Sequence, residues 1–291
     1  MFLLIEGGAT KTDWCLASSE KGKVLSFRTG GINVASMSEA VGDAVLREAF
    51  GRLENWLSEI GNIYLYAAGV VSGDVASSLG RKITEMSGCT SVSCKSDLVA
   101  AARALFGRAE GVAAIMGTGS NSCLCREGEV VRNIPAGGYV LGDEGGAVNL
   151  GRRFLSDWIK GLVPVEMADD FRGRYGLDYA SVVRNVYREG SPSGFMASFA
   201  PFVMEYSGQA YADGLVEDCI DAFVSRNLAR YGCPEVGVSG SYGCALKDVL
   251  ERVGERYGLT FRKFIPSPLD GLVDFHLRDF STPCGRSLRK I

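Results

Sequence analysis

One pattern occurs twice in the chain, and it limits the fold more than any other feature. Residues 2–5 form an apolar run that ends in Glu6-Gly7-Gly8-Ala9-Thr10-Lys11-Thr12. Residues 13–18 then alternate loosely, and Lys21-Gly22-Lys23 turns into a third strand over 24–27. In the second third of the chain, residues 112–116 are again apolar and end in Gly117-Thr118-Gly119-Ser120-Asn121-Ser122. Residues 123–126 continue, Glu127-Gly128-Glu129 turns, and Val130-Val131 opens another strand. Strand, glycine and threonine turn, strand, glycine turn, strand, met twice, reads as a duplicated β-meander. Glycine accounts for 38 of 291 residues, against a usual share of roughly 7%. No collagen-like period explains the excess, so glycines are expected at tight turns and where backbone approaches a ligand.

Helices and strands alternate after each meander. Ser36 and Glu39 fit a capping box, and Val41, Val45, Ala49, Leu53, Leu57 and Ile60 keep one helical stripe that Gly61 would stop. Strands are expected over 63–71 and 92–94, and helices over 75–86 and 97–106. Past the second meander, helices are expected near 152–160, 201–207 and 215–231. A strand over 236–239, a helix over 244–257 and a strand over 260–265 follow. This order implies an α/β fold with a mixed sheet, occurring twice. Two domains also suit the length, at roughly 150 residues per domain. The weakest boundary lies at 108–111, giving an N-terminal domain over 1–111 and a larger C-terminal domain over 112–291. Whether 269–280 returns to the first domain is open in the sequence.

Several function classes are excluded early. Lys and Arg total 31 against 34 Asp and Glu, so no strongly basic face is expected and a nucleic-acid partner is disfavoured. No apolar run reaches the roughly 18 residues of a membrane helix. Glu6 follows the first apolar residues with no basic residue before them, unlike a signal peptide, and a cytoplasmic location is expected. The nine cysteines are scattered and read as mostly buried reduced thiols; Cys123 and Cys125 would share one strand face, two ligands short of a zinc site. His276 is the single histidine, has no visible partner in the sequence and receives no role. Two-histidine metal motifs are therefore impossible, and no G-x-S-x-G elbow supplies a serine for a triad. Walker and Rossmann glycine fingerprints are absent as well.

What remains are glycine turns and isolated carboxylates. A hairpin tip of small residues presents N–H groups and hydroxyls in an arc suited to phosphate oxygens. Thr10, Lys11 and Thr12 would add two hydroxyls and a cation; Gly117, Thr118, Gly119 and Ser120 add donors without bulk. Either turn could merely connect strands, but two at the same place in repeated units favour a ligand. Gly237-Val238-Ser239-Gly240-Ser241-Tyr242-Gly243 is a third such loop, between a strand and a helix. Asp97, at the start of a helix, is either a first-turn residue or a base for an alcohol proton. Asp143 and Glu144 between glycines are either a solvated turn or acceptors for a ligand's hydrogen bonds, and Asn33 is equally open. Arg152-Arg153 reads as a solvated helix face.

Taken in order, residues 5–12, 115–122, Gly142-Asp143-Glu144-Gly145-Gly146-Ala147 and the 237–243 loop resemble the N-acetylglucosamine kinase branch of the actin-like, sugar-kinase and Hsp70 ATPase superfamily. The same sequence family holds the BadF-type activator ATPases of CoA-ester reductases and dehydratases. The resemblance runs from the first residues to about Gly243. It implies two ribonuclease-H-like domains with ATP and a sugar bound in the cleft between them. It implies Thr10 and Lys11 in a first phosphate loop, 117–120 in a second, and Gly240 and Ser241 in an adenosine loop. Asn33, Asn121, Gly138 and Asp143 would hold the sugar, and Asp97 would be the catalytic aspartate. In the family the first motif usually begins with an aspartate associated with the Mg²⁺ site. Here it is Glu6, one methylene longer, which leaves Mg²⁺ binding through water.

The expected function is therefore ATP- and Mg²⁺-dependent phosphorylation of an amino sugar, on the 6-hydroxyl of N-acetylglucosamine if the family substrate holds. The expected partner is a small-molecule sugar, without nucleic acid or membrane, and a homodimer is compatible with the sequence. Two alternatives stand beside it. An activator ATPase would need cysteines placed to share an iron–sulfur cluster, and no cysteine lies in an obvious cluster loop. A nucleotide or sugar sensor without turnover is kept open by Glu6.

Overall fold

The two meanders fold as the alternation of their residues dictates, with apolar side chains on the faces that helices cover. The computed structural model describes residues 1–8, 11–32, 38–70, 72–188 and 190–281. β1 (Phe2–Gly7), β2 (Lys11–Ser18) and β3 (Gly22–Gly30) are antiparallel neighbours. The chain continues through α1 (Glu39–Arg52), β4 (Asn62–Ala67), α2 (Gly73–Ser87), β5 (Val92–Ser96) and α3 (Asp97–Phe106). β4 joins β1 and β5 joins β4, both in parallel, giving the order β3-β2-β1-β4-β5.

The second sheet repeats this plan. β6 (Gly111–Met116), β7 (Ser120–Arg126) and β8 (Glu129–Asn133) form its meander. Where the first unit has α1, the second has a long helical excursion: α4 (Gly138–Leu141), α5 (Ala147–Ile159), α6 (Val165–Tyr175), α7 (Tyr179–Tyr187), α8 (Pro192–Ala197), α9 (Ala200–Glu205) and α10 (Ala210–Arg226). Then come β9 (Glu235–Ser239), α11 (Ser241–Ala245), α12 (Lys247–Glu255) and β10 (Thr260–Ile265). Both late strands are parallel to β6, and the order β10-β9-β6-β7-β8 is that of the first sheet read from its other edge. The duplication expected from the turns thus extends to all five strands of each sheet.

Each unit has its own core. In the first, Leu3, Ile5, Trp14 and Leu65 are fully buried under α1 and α2, and the Trp14 indole N–H donates to Thr29 Oγ1 at 2.8 Å. In the second, Phe154, Phe171 and Phe202 pack edge-on or tilted, with ring centres 4.9–5.5 Å apart, at the centre of the helical excursion.

The last helix, α13 (Leu269–Ser281), holds in the second unit's order the place that α3 holds in the first, directly after the fifth strand. It nevertheless packs on α3. The compact units are Met1–Arg108 together with the chain from Pro268, and Ala109–Ser267. Residues 268–281 therefore fall with the first unit and not with 112–267. Leu272, Val273, Phe275 and His276 are the buried stripe of α13. Gly271 permits the approach, since a Cβ there would lie 2.6 Å from the Ala104 carbonyl oxygen.

Local boundaries differ from the sequence pattern where backbone bonding tightens. The 41–60 stripe breaks after Arg52: Leu53 N–H reaches back to Phe50 and Trp56 N–H to Leu53, so Glu54–Glu59 form a 3₁₀ turn. The helix N-cap is Ser38, without a side-chain cap bond, and Ser36 lies outside the described residues. The single helix expected over 244–257 is two, α11 and α12, meeting at Leu246. No helix among the described residues is long and apolar enough to cross a membrane.

Candidate functional site

The first unit gathers its charges in one row across the sheet. Arg28, Asp13, Glu6, Tyr66 and Lys95 are consecutive register partners on β3, β2, β1, β4 and β5. Directly opposed residues share a face, so this row crosses one side of the sheet near the carboxyl ends of the parallel strands. Arg28 Nε donates to Asp13 Oδ1 at 2.7 Å, and Lys11 Nζ lies 3.6 Å from Asp13 Oδ2. Burial, then the neighbouring Asp13 carboxylate, push the Glu6 carboxyl up to about 7, with Asp97 adding to the rise and Lys11 and Arg28 opposing it. Thr12 Oγ1 and Asp13 Oδ2 are buried and find no hydrogen-bond partner among the described residues.

Asp97 sits where β5 turns into α3. It is half-buried, and its Oδ1 accepts from the Leu98 amide at 2.9 Å. Burial raises the affinity of this carboxyl for a proton, offset in part by the backbone N–H groups of the first helical turn. The first-turn role is thus borne by Oδ1, and it is compatible with a base role for the same carboxyl. Two residues expected in this unit, Thr10 and Asn33, lie outside the described residues.

The second unit brings three loops together without a comparable charge row. The turn over 117–120 is bound through backbone groups to the start of α5, just past the 142–146 loop. Gly146 N–H donates to Asp143, while Ala147 N–H donates to Gly117 and Val148 N–H to Thr118, at 2.8–3.0 Å. Ser120 adds its amide to Asp143 Oδ1 at 3.3 Å and its hydroxyl to the Glu144 carbonyl at 2.6 Å. A Cβ on Gly119 would lie 2.8 Å from Asp143 Oδ2. Gly240 lies against the end of β6, where a Cβ would overlap the Met116 carbonyl oxygen, at a φ of +124° that favours glycine. Its N–H donates to Ile265 at 2.9 Å, and Ser241 opens α11.

Of the residues expected to hold a sugar, Asp143 has a φ of +53°, a left-handed conformation that Asp tolerates better than most residues. Burial raises its carboxyl toward protonation, opposed by the Ser120 amide. Gly138 begins α4 beside it in sequence. Asn121 stands on β7, where its Oδ1 accepts from the Ser122 amide at 2.9 Å and from Asn133 Nδ2 at 3.0 Å. Glu144 is paired with Arg226 at 2.9 Å.

Two features escaped the sequence pattern. Asp13, treated there only as a strand residue, is the register partner of Glu6; counting outward from the hairpin would have placed the two carboxylates side by side. His276, left without a partner, has its Nε2 2.7 Å from the Tyr66 hydroxyl and its ring stacked 3.8 Å from that of Tyr64. Its partners come from a strand 210 residues earlier, which no local pattern reveals. Cys123 and Cys125 are buried on one face of β7, and Arg153 pairs with Asp218 at 2.9 Å.

Mg²⁺ keeps several waters and takes one or two carboxylates together with substrate phosphates. The first unit fits such an ion: Glu6 and Asp13 offer two carboxylates on one face, and Asp13 Oδ2 has no hydrogen-bond partner among the described residues. Among the described residues no three His, Cys, Asp or Glu side chains form a protein-only metal cage.

No protein-family model matches the chain, and no curated protein matches it. Among solved structures, the chain is 36% identical to a Porphyromonas gingivalis protein named "Putative N-acetylglucosamine Kinase", with a TM-score of 0.92 over 96% of this chain and 100% of that one. A Chromobacterium violaceum protein of the same name is 19% identical, with a TM-score of 0.74 over 95% and 99% of the two chains. A ROK family glucokinase from Streptomyces griseus, in complex with glucose and AMPPNP, is 14% identical, with a TM-score of 0.59 over 94% and 97%. The last two likenesses are of fold. With more than a third of its residues shared along nearly its full length with the first, and with its doubled sheet, the chain belongs to the N-acetylglucosamine kinase-like family of actin-like ATPases.

Proposed function

We propose that the protein is an ATP-dependent sugar kinase that transfers the γ-phosphoryl group of ATP to the 6-hydroxyl of N-acetylglucosamine. The observation that carries this reading is Asp97: a half-buried carboxylate with raised proton affinity, at the carboxyl edge of the parallel strands, on a helix start that fixes its direction. An alcohol at neutral pH holds its proton, and a carboxylate at the hydroxyl can take it as the oxygen attacks phosphorus. Thr10, Lys11 and Thr12 hold phosphate oxygens from the first unit's hairpin. Gly117, Thr118, Gly119 and Ser120 do so with backbone N–H groups, and Gly240 and Ser241 accommodate the adenosine. Asn33, Asn121, Gly138 and Asp143 orient the sugar hydroxyls. Mg²⁺ when bound offsets charge on the phosphates, with Glu6 and Asp13 as its holders, directly or through water. The expected site of action is the cytoplasm, and the protein is compatible with a homodimer.

The reading is tested by ADP release with Mg-ATP over a panel of acetylated and free hexosamines. N-acetylglucosamine is expected to stimulate release most, with the product phosphorylated at O6 by NMR. Release stimulated by no sugar removes the kinase reading; a different best sugar removes only the named substrate.

A further inference from the structure

Unabsorbed by that reading is the polar group buried between α3, α13 and the sheet, all within the first unit. Tyr66, 1% exposed, lies on β4, an interior strand bonded on both sides, and stands between Glu6 and Lys95 in the charge row. Its hydroxyl accepts from Arg103 Nη1 of α3 at 2.7 Å and lies 2.7 Å from His276 Nε2 of α13. Arg only donates, so the arrangement that uses every hydrogen has the Tyr66 O–H donating to His276 Nε2. The imidazole thereby engages the hydroxyl proton and turns an oxygen lone pair toward Arg103. An aromatic face steadies the guanidinium, whose carbon is 4.8 Å from the Phe275 ring centre.

α3 gains from such a bond because its packing face has little shape. Between Val99 and Leu105 every buried residue is alanine: Ala100, Ala101, Ala102 and Ala104. Helices are keyed along their axes by side-chain ridges seated in grooves, and methyl groups make low ridges. The same small surface admits Gly271 of α13, where a Cβ would lie 2.6 Å from the Ala104 carbonyl oxygen. Close approach is gained there at the expense of axial keying, and a directional bond to a residue fixed in the sheet makes up for it. Arg103 follows Asp97 by six residues, about 9 Å along the helix axis. The Asp97 carboxyl accepts from the Leu98 amide of the first turn, so it moves with the helix.

We infer that Arg103 is a positioning residue: its bond to Tyr66 sets α3 along its axis against the row that carries Glu6 and Asp13, and so sets where the Asp97 carboxyl meets the accepting hydroxyl. This rests on the proposed base role of Asp97, through which Arg103 acts. A misplacement of about 1 Å at a reacting group can cost about 10²-fold in rate. A purely structural role would lower stability and leave the kcat of the folded enzyme unchanged.

The test is steady-state ADP release by the full chain with Mg-ATP and N-acetylglucosamine, or the best hexosamine of the panel if another is faster, with thermal midpoints recorded alongside. Arg103→Met keeps the aliphatic stem and removes the donors; kcat is expected to fall about 10- to 100-fold with KM for ATP within about twofold of wild type. Arg103→Lys, which keeps a charged donor, recovers at least about fivefold of that loss. In an Asp97→Asn background, Arg103→Met lowers the residual rate by less than about twofold, because the group it places is gone. Tyr66→Phe reproduces Arg103→Met, and the two together are no slower than the slower single variant. If these do not fold, His276→Leu is expected to lose kcat in the same way and His276→Gln, which keeps an acceptor for the hydroxyl, to restore it. Wild-type kcat in folded Arg103→Met or His276→Leu, or the same fold-loss with and without the Asp97 carboxyl, overturns the inference and leaves the kinase reading intact. A wild type whose ADP release no sugar stimulates overturns the kinase reading and this role with it.

Discussion

Glu6 and Met116 stand at the same place in the same strand order, the penultimate and last residues of β1 and β6 before the glycine turn, and their surroundings are opposite. Around Glu6 are Asp13, Arg28 and Lys11, with Tyr66 its register partner on β4; among the described residues the buried Thr12 Oγ1 and Asp13 Oδ2 lack hydrogen-bond partners. Around Met116 are glycines: Gly240 lies on its carbonyl, and a Cβ on Gly243 would lie 2.9 Å from its Cβ. One copy of the fold thus concentrates titratable side chains, at a cost in unsatisfied polar groups. The other dispenses with side chains and uses backbone, with its polar groups mostly bonded between loops. Duplication gave one scaffold twice, and the copies diverged toward titratable side chains on one side and bare, closely packed backbone on the other. Substitutions in the first unit should then alter rate and pH response, and those in the second should alter folding and nucleotide affinity together.

The sharpest test of this division is Asp97→Asn. It is expected to lower kcat by about 10²- to 10⁴-fold with ATP affinity and thermal midpoint nearly unchanged, read by steady-state kinetics and calorimetry. A large fall in midpoint would show that the first unit also uses this side chain to fold. Next comes Gly240→Ala, which forces a Cβ onto the Met116 carbonyl at a φ hostile to alanine. A loss of about 3 kcal/mol in denaturant unfolding is expected, together with weaker ATP binding. Stability kept with ATP binding alone weakened would break the claim that fold and ligand loop are one structure there.

A pH experiment isolates Glu6. Its carboxyl titrates near 4.5 in the unfolded chain and at about 7 when folded. Between these values the folded protein holds the extra proton, so raising the pH across that window favours unfolding, by up to about 3 kcal/mol. Below about 4.5 this contribution is fully present and above about 7 it is gone. Glu6→Gln should flatten the stability profile over that window; an unchanged profile would assign the slope elsewhere. The smallest effect is expected for Arg226→Ala, which removes the ion pair to Glu144 from a mostly exposed arginine. A loss of about 1 kcal/mol or less in chemical unfolding fits a loop held by backbone bonds; a loss several times larger would mean that charge, after all, secures the second unit.

Much of the scaffold was legible because it is local. The glycine turns fixed both hairpins, α3 runs over the residues 97–106 that its stripe marks, and β10 over 260–265. Boundaries slipped where tertiary bonds tightened the backbone, as after Arg52 and at Leu246. Of the site, the motifs pointed to Asp97, Glu6 and the three glycine loops, whereas Asp13 was missed because its importance lies in cross-strand register. His276 and Arg103 were beyond reach: their meeting at Tyr66 is made by α13, which sequence order assigns to the other half of the chain.

That placement of α13 has a consequence for how the halves can be separated. A fragment cut at Ser267 carries a complete second unit, but a fragment of residues 1–108 leaves Tyr64, Tyr66 and Phe275's place on α3 open to water. The first unit is therefore finished by residues that are translated after the whole of the second, and a cut that removes α13 strikes β1 and β4 rather than the strands that directly precede it in the chain.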